Sequence, residues 1–142
     1  MKLLQICSII AVFFVCTVQS QMQAQVAVIV NKSVPAASLS ASQVSDLYAL
    51  NTKQWGNGSK VVVFDLKTDG DVKSKFYGFL GKSSGDLKKI WMRLKLTGEA
   101  EPPTALASDD EILAKVASTP GAIGFVSADK VNDKVKVVAK IP

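Results

Sequence analysis

Two kinds of hydrophobic pattern alternate along the chain. Continuous apolar runs rich in β-branched residues predict strands covered on both faces, and apolar residues spaced three and four apart predict amphipathic helices. The predicted strands are VAVIVN (26–31), KVVVFDL (60–66), GAIGFVS (121–127) and DKVKVVAKI (133–141). In the last strand Lys134 and Lys136 alternate with valines, which predicts one solvent-exposed face.

Serine precedes three of the predicted helices, each time with a potential partner three residues later. The pairs are Ser40–Gln43, Ser83–Asp86 and Ser108–Glu111. The first and third have capping-box spacing, and Ser83 resembles an N-cap. A fourth helix follows the turn at 67–70 and ends before Gly81, a typical C-cap residue. Alternating strands and helices, without a repeat or linker, predict one three-layer α/β domain with a mixed sheet flanked by helices.

The first 20 residues predict a secretory signal peptide. Lys2 is followed by an uncharged run at 3–18, and Val18 and Ser20 suit a cleavage site, with Ala24 as a later alternative. A retained membrane anchor fits less well, because an uncharged helix of this length spans roughly 24 Å of a hydrocarbon core of about 30 Å. We therefore expect a bacterial periplasmic protein whose domain is residues 25–142.

The scarcity of reactive side chains favours a binding protein over an enzyme. Cys7 and Cys16 are the only cysteines, and both lie in the predicted signal peptide, so the exported domain has no disulfide. Histidine is absent, which excludes Ser–His or Cys–His nucleophile pairs and imidazole zinc sites. The acidic run 109–111 fits the first turn of a helix better than a metal site. We therefore predict no catalytic site, metal or cofactor.

The segment DLKTDGDVKSKF (65–76) predicts a strand end, a polar turn and a helix start. Free backbone N–H groups at a helix start can bind an anion. Asp71 would oppose a bound anion by about 1 kcal/mol in water at 4 Å, and by more when buried, but it also suits a helix start. Two interpretations stay open: an oxyanion site with charge supplied by Lys73 and Lys75, or a capped scaffold without a ligand.

Residues 39–80, followed by VASTPGAIGFV (116–126), resemble the periplasmic phosphate-binding proteins of ABC transporters. The second lobe of that family has a helix ending in a W-x-[DN]-G turn, a strand, a Ser/Gly-rich anion loop that opens a helix, and later TPGAIGYV. Here WGNG (55–58) and TPGAIG (119–124) match two of these motifs. The resemblance begins at about Val26 and implies a short relative with the fold of one lobe of a type II periplasmic binding protein.

The resemblance implies a phosphate or similar oxyanion as ligand. The predicted binding residues are Ser33, Asp69, Gly70, Lys73 and Thr119. The first and last of these are included as small polar residues at loop positions. In the family the aspartate of the anion loop accepts a hydrogen bond from a protonated phosphate oxygen, a role that Asp69 would inherit. The hydroxyl residues and second glycine of that loop are replaced here by residues 71–73.

The implied partners depend on the missing second lobe. A single lobe needs another wall to enclose an anion, so a second copy of the chain, an ABC permease or another envelope protein are the expected partners. The alternative is a ligand-free interaction domain of an envelope complex. No pattern indicates nucleic-acid recognition.

Several side chains leave a choice between structural and functional roles. Lys88, Lys89 and Arg93 share the polar side of a predicted helix, which is either a solvated face or a surface for an anionic polymer or membrane. Gly124 lies inside a strand and marks close approach either by a ligand or backbone, or by a packed helix. Trp55 and Trp91 are predicted core anchors.

Overall fold

The computed structural model describes residues 25–142, and the predicted signal peptide with its cleavage site lies outside them. The strands of this region are β1 Val26–Val30, β2 Val62–Leu66, β3 Thr104–Leu106, β4 Ala122–Ser127 and β5 Lys136–Ile141. Its α-helices are α1 Ala41–Tyr48, α2 Asp71–Leu80, α3 Ser84–Leu96 and α4 Asp109–Ser118, and a short 3-10 helix covers Ala128–Lys130. None of the helices in residues 25–142 is long and apolar enough to cross a membrane.

The strands form one mixed sheet in the order β3-β2-β4-β1-β5, which confirms the predicted fold class. β2 pairs in parallel with β3 and β4, whereas β1 pairs antiparallel with β4 and β5. The sheet therefore has a carboxyl end, where β2, β3 and β4 finish, and an amino end, where β2 and β4 begin and β1 finishes. These two ends decide which loops can form a common site.

Helices cover both faces of the sheet. Because side chains alternate across a strand, Gly124 and Phe125 of β4 point to opposite faces. A Cβ at Gly124 would lie 2.7 Å from Ile112 Cγ2 and 3.1 Å from Val116 Cγ2, so α4 packs on that face. On the other face Phe125 stacks on Phe76 of α2, with ring centroids 3.8 Å apart. Gly124 thus makes room for a packed helix, which is one of the two roles that the sequence left open for this residue.

The described residues form one hydrophobic core that includes all of the long strands. β1 is buried along its whole length, as the continuous apolar run predicts. Two tryptophans link separate parts of the chain around this core: Trp55 Nε1 donates to the Gly121 carbonyl at 2.9 Å, and Trp91 Nε1 of α3 donates to the Tyr48 carbonyl at the end of α1 at 2.7 Å. A sheet covered on both faces with its own core is what a domain needs to fold independently.

Most predicted helix starts are confirmed, with one correction. Ser40 and Ser83 form reciprocal capping boxes with Gln43 and Asp86. Ser108 accepts a hydrogen bond from the Glu111 N–H, but the Glu111 carboxylate accepts from the Ala107 N–H and not from Ser108. The predicted Ser108–Glu111 capping box is therefore only half formed, because the Glu111 carboxylate accepts its hydrogen bond from the Ala107 amide instead.

Two strand predictions also need correction. No strand was predicted between α3 and α4, but the structure has β3 there, held by parallel pairing with β2. The last strand begins at Lys136, and an irregularity in its pairing with β1 shifts the register between Val28 and Ile29. The simple exposed–buried alternation expected of this strand therefore fails, and Val138 is buried while Val137 is half-buried.

Candidate functional site

The start of α2 differs from the other helix starts of residues 25–142. α1, α3 and α4 each begin after a serine whose hydroxyl accepts a hydrogen bond from the third helical N–H. α2 begins after Gly70, which makes no side-chain cap. The first three N–H groups of a helix have no partner within it, so the amides of residues 71–73 remain available at this end. A Cβ at Gly70 would meet no atom within 4 Å, so the space beside it is open.

Lys73, on the first turn of α2, is buried, which the sequence did not predict. Its side chain is 7% exposed, and the ammonium lies 3.5 Å from Asp69 Oδ1 and 3.9 Å from Asp65 Oδ2. The same ammonium lies 5.5 Å from the centroid of the Tyr77 ring. A lysine buries its charge only when that charge is compensated. The lysine is thus held at the helix start by two carboxylates and an aromatic face.

The two carboxylates around Lys73 differ in accessibility. The side chain of Asp69 is 91% exposed, whereas that of Asp65 is 7% exposed. Asp65 accepts hydrogen bonds from its neighbour Leu66 N–H at 2.9 Å and from the Tyr77 hydroxyl at 2.8 Å. Asp69 can therefore leave Lys73 by rotating into solvent, while Asp65 is fixed inside the domain.

Burial raises the pKa of Asp65, because the charged carboxylate loses its hydration. The hydrogen bond from Tyr77 and the charges of Lys73 and Lys88 act in the opposite direction and reduce this rise. Burial and the nearby Asp65 carboxylate raise the pKa of Tyr77, so its hydroxyl keeps its proton and acts as a donor. The inner part of the site is therefore a fixed Asp65–Tyr77 pair below the lysine.

Three carboxylates near the start of α2 oppose the binding of a strongly charged anion. Between residues 65 and 73 there are three carboxylates and two lysines, and Asp71 is exposed in the first turn of α2. None of the hydrogen bonds described for residues 25–142 joins the Asp71 carboxylate to the amides of this helix start. Asp71 opposes an anion by charge, but it leaves those amides free.

The five predicted site residues fall into two groups. Asp69, Gly70 and Lys73 lie together at the carboxyl end of the sheet, where β2 leads into α2. Ser33 and Thr119 lie at the amino end, because β1 finishes there and β4 begins there. The five residues of β2 separate the two ends by roughly 13 Å.

The residues at the amino end have a structural role. Ser33 Oγ accepts a hydrogen bond from the Gly121 N–H at 3.1 Å, and the Thr119 carbonyl accepts from the Ala122 N–H at 3.2 Å. Gly121 has φ +75, and a Cβ there would lie 2.2 Å from the Lys60 carbonyl oxygen. Ser33 and Thr119 thus hold the tight turn that brings α4 into β4.

Sequence reasoning did not identify Asp65 and Tyr77 as members of the site. One signal was present, since Asp65 is a charged residue that directly follows the apolar run at 61–64 of a predicted strand. A charge in such a position needs a buried partner, which Lys73 and Tyr77 provide here. Tyr77 carried no comparable signal, because its position on α2 is compatible with ordinary packing.

The fold is shared with proteins of phosphate transport. A protein assigned as a phosphate ABC transporter substrate-binding protein, from Clostridium perfringens and solved with bound phosphate, superposes with a TM-score of 0.67 at 21% identity, covering 81% of this chain and 45% of its own. An ABC-type phosphate transport receptor from Vibrio cholerae superposes with a TM-score of 0.64 at 19% identity, covering 82% of this chain and 46% of its own. PstS from Borrelia burgdorferi superposes with a TM-score of 0.58 at 10% identity, covering 82% of this chain and 47% of its own.

These similarities concern structure, and the chain spans less than half the length of each of these proteins. No protein-family model matches the sequence, and no curated protein sequence matches it. The resemblance noted from the sequence motifs is therefore confirmed at the level of the fold. The chain has the α/β architecture of one lobe, about half, of the phosphate ABC transporter substrate-binding proteins.

Proposed function

We propose that this protein binds a small oxyanion of the phosphate class at the start of α2. The proposal depends mainly on one observation: the first amides of α2 have no side-chain cap, and Lys73, in the same turn, has a buried ammonium held by Asp65 and by the exposed Asp69. Helix-start amides and a cation together are a common arrangement for binding phosphate-like groups. The similarity to a protein solved with bound phosphate supports the same assignment.

Asp69 has a place in this proposal. An incoming oxyanion displaces the exposed Asp69 carboxylate from Lys73 and takes over the ammonium, while the amides of residues 71–73 bind its other oxygens. The displaced carboxylate then repels a fully ionised anion but accepts a hydrogen bond from a protonated one. The site therefore favours phosphate or arsenate, which carry a proton at neutral pH, over sulfate.

The chain supplies one wall of such a site. An anion held on one side keeps much of its contact with water, so we expect weak binding by a single copy and tighter binding when another surface covers the open side. A second copy of the chain or an envelope protein, such as an ABC permease, would serve as that surface. Export to the periplasm is part of this proposal, because the predicted signal peptide leads to that compartment.

A second candidate function is an interaction domain that has lost the ligand. It is favoured by the charges around Lys73, because Asp65 and Asp69 already compensate the ammonium and Asp71 adds a third carboxylate. In that case the surface that a second lobe would cover in the related two-lobe proteins binds an envelope protein directly. Pull-down from an envelope extract, with size-exclusion chromatography and light scattering, tests this candidate. A strictly monomeric protein with micromolar phosphate affinity would contradict it.

Isothermal titration of residues 25–142 with phosphate, arsenate and sulfate tests the oxyanion proposal. We expect saturable binding of phosphate and arsenate. Lys73→Gln should weaken it by about tenfold or more, since a charge-assisted hydrogen bond is lost. The matched control is Lys134→Gln, an equal charge change at the amino end of the sheet, which should leave affinity within about twofold. Absence of saturable heat with all three anions at millimolar concentration, for monomer and dimer alike, would overturn the proposal.

A further inference from the structure

The outer face of α3 carries the two large hydrophobic side chains that are exposed in residues 25–142. Met92 is 56% exposed and Leu96 is 79% exposed. They lie four residues apart, so they are neighbours on one line along the helix. The opposite face of α3 packs into the core through Leu87, Trp91 and Leu94. The pair thus lies at the part of the helix surface farthest from the core, where nothing in the fold requires apolar residues.

Cations flank this apolar pair on both sides. One side carries Lys89 and Arg93, and the other carries Lys88 and Lys95, as their spacing of 100° per residue places them. All four side chains are exposed. The acidic residue of this helix, Asp86, lies in its first turn, where it caps the chain through Ser83. An apolar ridge with cations along both flanks is the pattern of helices that lie on anionic membranes.

We propose that this face of α3, defined by Lys88, Lys89, Met92, Arg93, Lys95 and Leu96, docks on the surface of a bilayer that contains anionic lipid. Met92 and Leu96 enter the boundary between headgroups and acyl chains, and the long flanking side chains extend sideways to lipid phosphates. The formal charge of the whole chain is +5, and without Lys2, the only charged residue before position 25, residues 25–142 carry 5 − 1 = +4, which adds a longer-range attraction to such a surface.

The shape and charge of the face favour a membrane over other occupants. This face is a shallow, open surface on a single helix, which matches a flat bilayer, whereas an extended acidic peptide needs a deeper groove to lie in. A second copy of this chain is disfavoured, because a symmetric contact through this face would oppose four cations to four cations. The proposal is independent of oxyanion binding, since it uses neither the start of α2 nor its amides.

Co-sedimentation of residues 25–142 with lipid vesicles tests the proposal, since this region contains the hydrophobic core and the sheet covered on both faces. We expect binding to vesicles with about 30 mol % phosphatidylglycerol in phosphatidylcholine, and little binding to phosphatidylcholine alone. Binding should weaken severalfold or more when salt is raised from about 0.05 M to about 0.5 M, because salt screens exposed charges.

Two variants separate the apolar and cationic contributions. Met92→Gln with Leu96→Gln removes the apolar ridge while keeping helix propensity, and Lys89→Gln with Arg93→Gln removes one cationic flank. Each should reduce vesicle affinity by about tenfold or more. Lys88 is left unchanged, because its charge acts on Asp65 in the other site. Circular dichroism melts verify that each variant is folded.

The matched control is Lys115→Gln with Lys140→Gln, two exposed lysines outside α3. It removes the same total charge and should retain vesicle affinity within about twofold. Equal loss in this control and in the flank variant would overturn the proposal, because binding would then follow net charge alone. Failure of the parent protein to bind anionic vesicles would also overturn it. The same holds if the parent binds an acidic protein through the α3 face but does not bind vesicles.

Discussion

The buried Lys73 ammonium lies 3.5 Å from a carboxylate oxygen of Asp69, a side chain that is 91% exposed. The two residues are four positions apart, with Gly70 and the start of α2 between them. A buried cation that is paired with a solvent-exposed carboxylate is a charge that another anion can take over. This relationship leads to the first prediction.

Asp69→Asn removes the carboxylate that competes for Lys73 and would repel a bound anion. We expect sulfate affinity to rise by about tenfold, because sulfate has no proton to donate to Asp69 and meets only its charge. Phosphate affinity should change by less than about threefold, since the lost repulsion is offset by the lost hydrogen bond from its protonated oxygen. Isothermal titration with both anions measures the ratio. Unchanged affinities for both would show that Asp69 is not part of an anion site.

Asp71→Ser should strengthen oxyanion binding. The substitution removes a like charge from the first turn of α2 and introduces a hydroxyl donor where the resembling family has one. We expect phosphate affinity to rise by about five- to tenfold, in line with a partly screened charge contact. The control is Asp133→Ser, an equal charge change in an exposed loop near the amino end of the sheet. Equal gains in both variants, or none in Asp71→Ser, would contradict the prediction.

Local rules predicted most of the elements, because they depend on residues close in sequence. The serine caps Ser40 and Ser83 and the left-handed Gly81 follow from neighbours within four residues. β3 was missed for the opposite reason. Its three residues are mostly exposed and lack an apolar pattern, so the strand exists through its pairing with β2, whose partner residues lie forty positions earlier. A single sequence gives no signal for such a non-local contact.

The site was only partly predictable for the same physical reason. Asp69, Gly70 and Lys73 are local to one turn, and the sequence grouped them together. Ser33 and Thr119 were added as small polar loop residues, but their position depends on the direction of β1 relative to β2. Strand direction is set by the assembly of the whole sheet. Local periodicity therefore cannot show which loops share an end.

Asp65→Asn should change how stability depends on pH. Burial raises the folded-state pKa of Asp65, while an unfolded aspartate titrates near about 3.9. Between these two pKa values the folded protein thus binds more protons than the unfolded chain. The stabilisation that Asp65 contributes to the folded state is therefore full below about pH 3.9 and is lost as the pH rises through the raised pKa. The free energy of unfolding of the parent, minus that of Asp65→Asn, should therefore fall with increasing pH and level off above that pKa.

Urea denaturation at a series of pH values measures this difference. Asp133→Asn is the control, because that side chain is exposed, and its difference from the parent should be nearly flat. A difference that rises with pH for Asp65→Asn would mean that Lys73 and Tyr77 stabilise the carboxylate more than burial disfavours it. That result would reverse the sign argued here.

Gly124→Ala should destabilise the domain by about 1–3 kcal/mol, because it overfills a packed contact. The new Cβ would lie 2.7 Å from Ile112 Cγ2, so α4 must shift away from β4. Thermal or urea unfolding gives the magnitude. The control is Gly85→Ala in the first turn of α3, where the nearest atom is the Ser83 hydroxyl oxygen at 3.8 Å. This control should be neutral or slightly stabilising, because alanine has the higher helix propensity.

A double-mutant cycle identifies the cause of the Gly124→Ala effect. Ile112→Ala by itself removes buried contacts and should cost about 2–5 kcal/mol. It also removes the Cγ2 methyl group that the new Cβ would contact, so adding Gly124→Ala in this background should cost much less than in the parent. Strict additivity of the two substitutions would show that the contact with Ile112 does not cause the loss, and would assign it to the 3.1 Å contact with Val116 Cγ2 or to the β4 backbone.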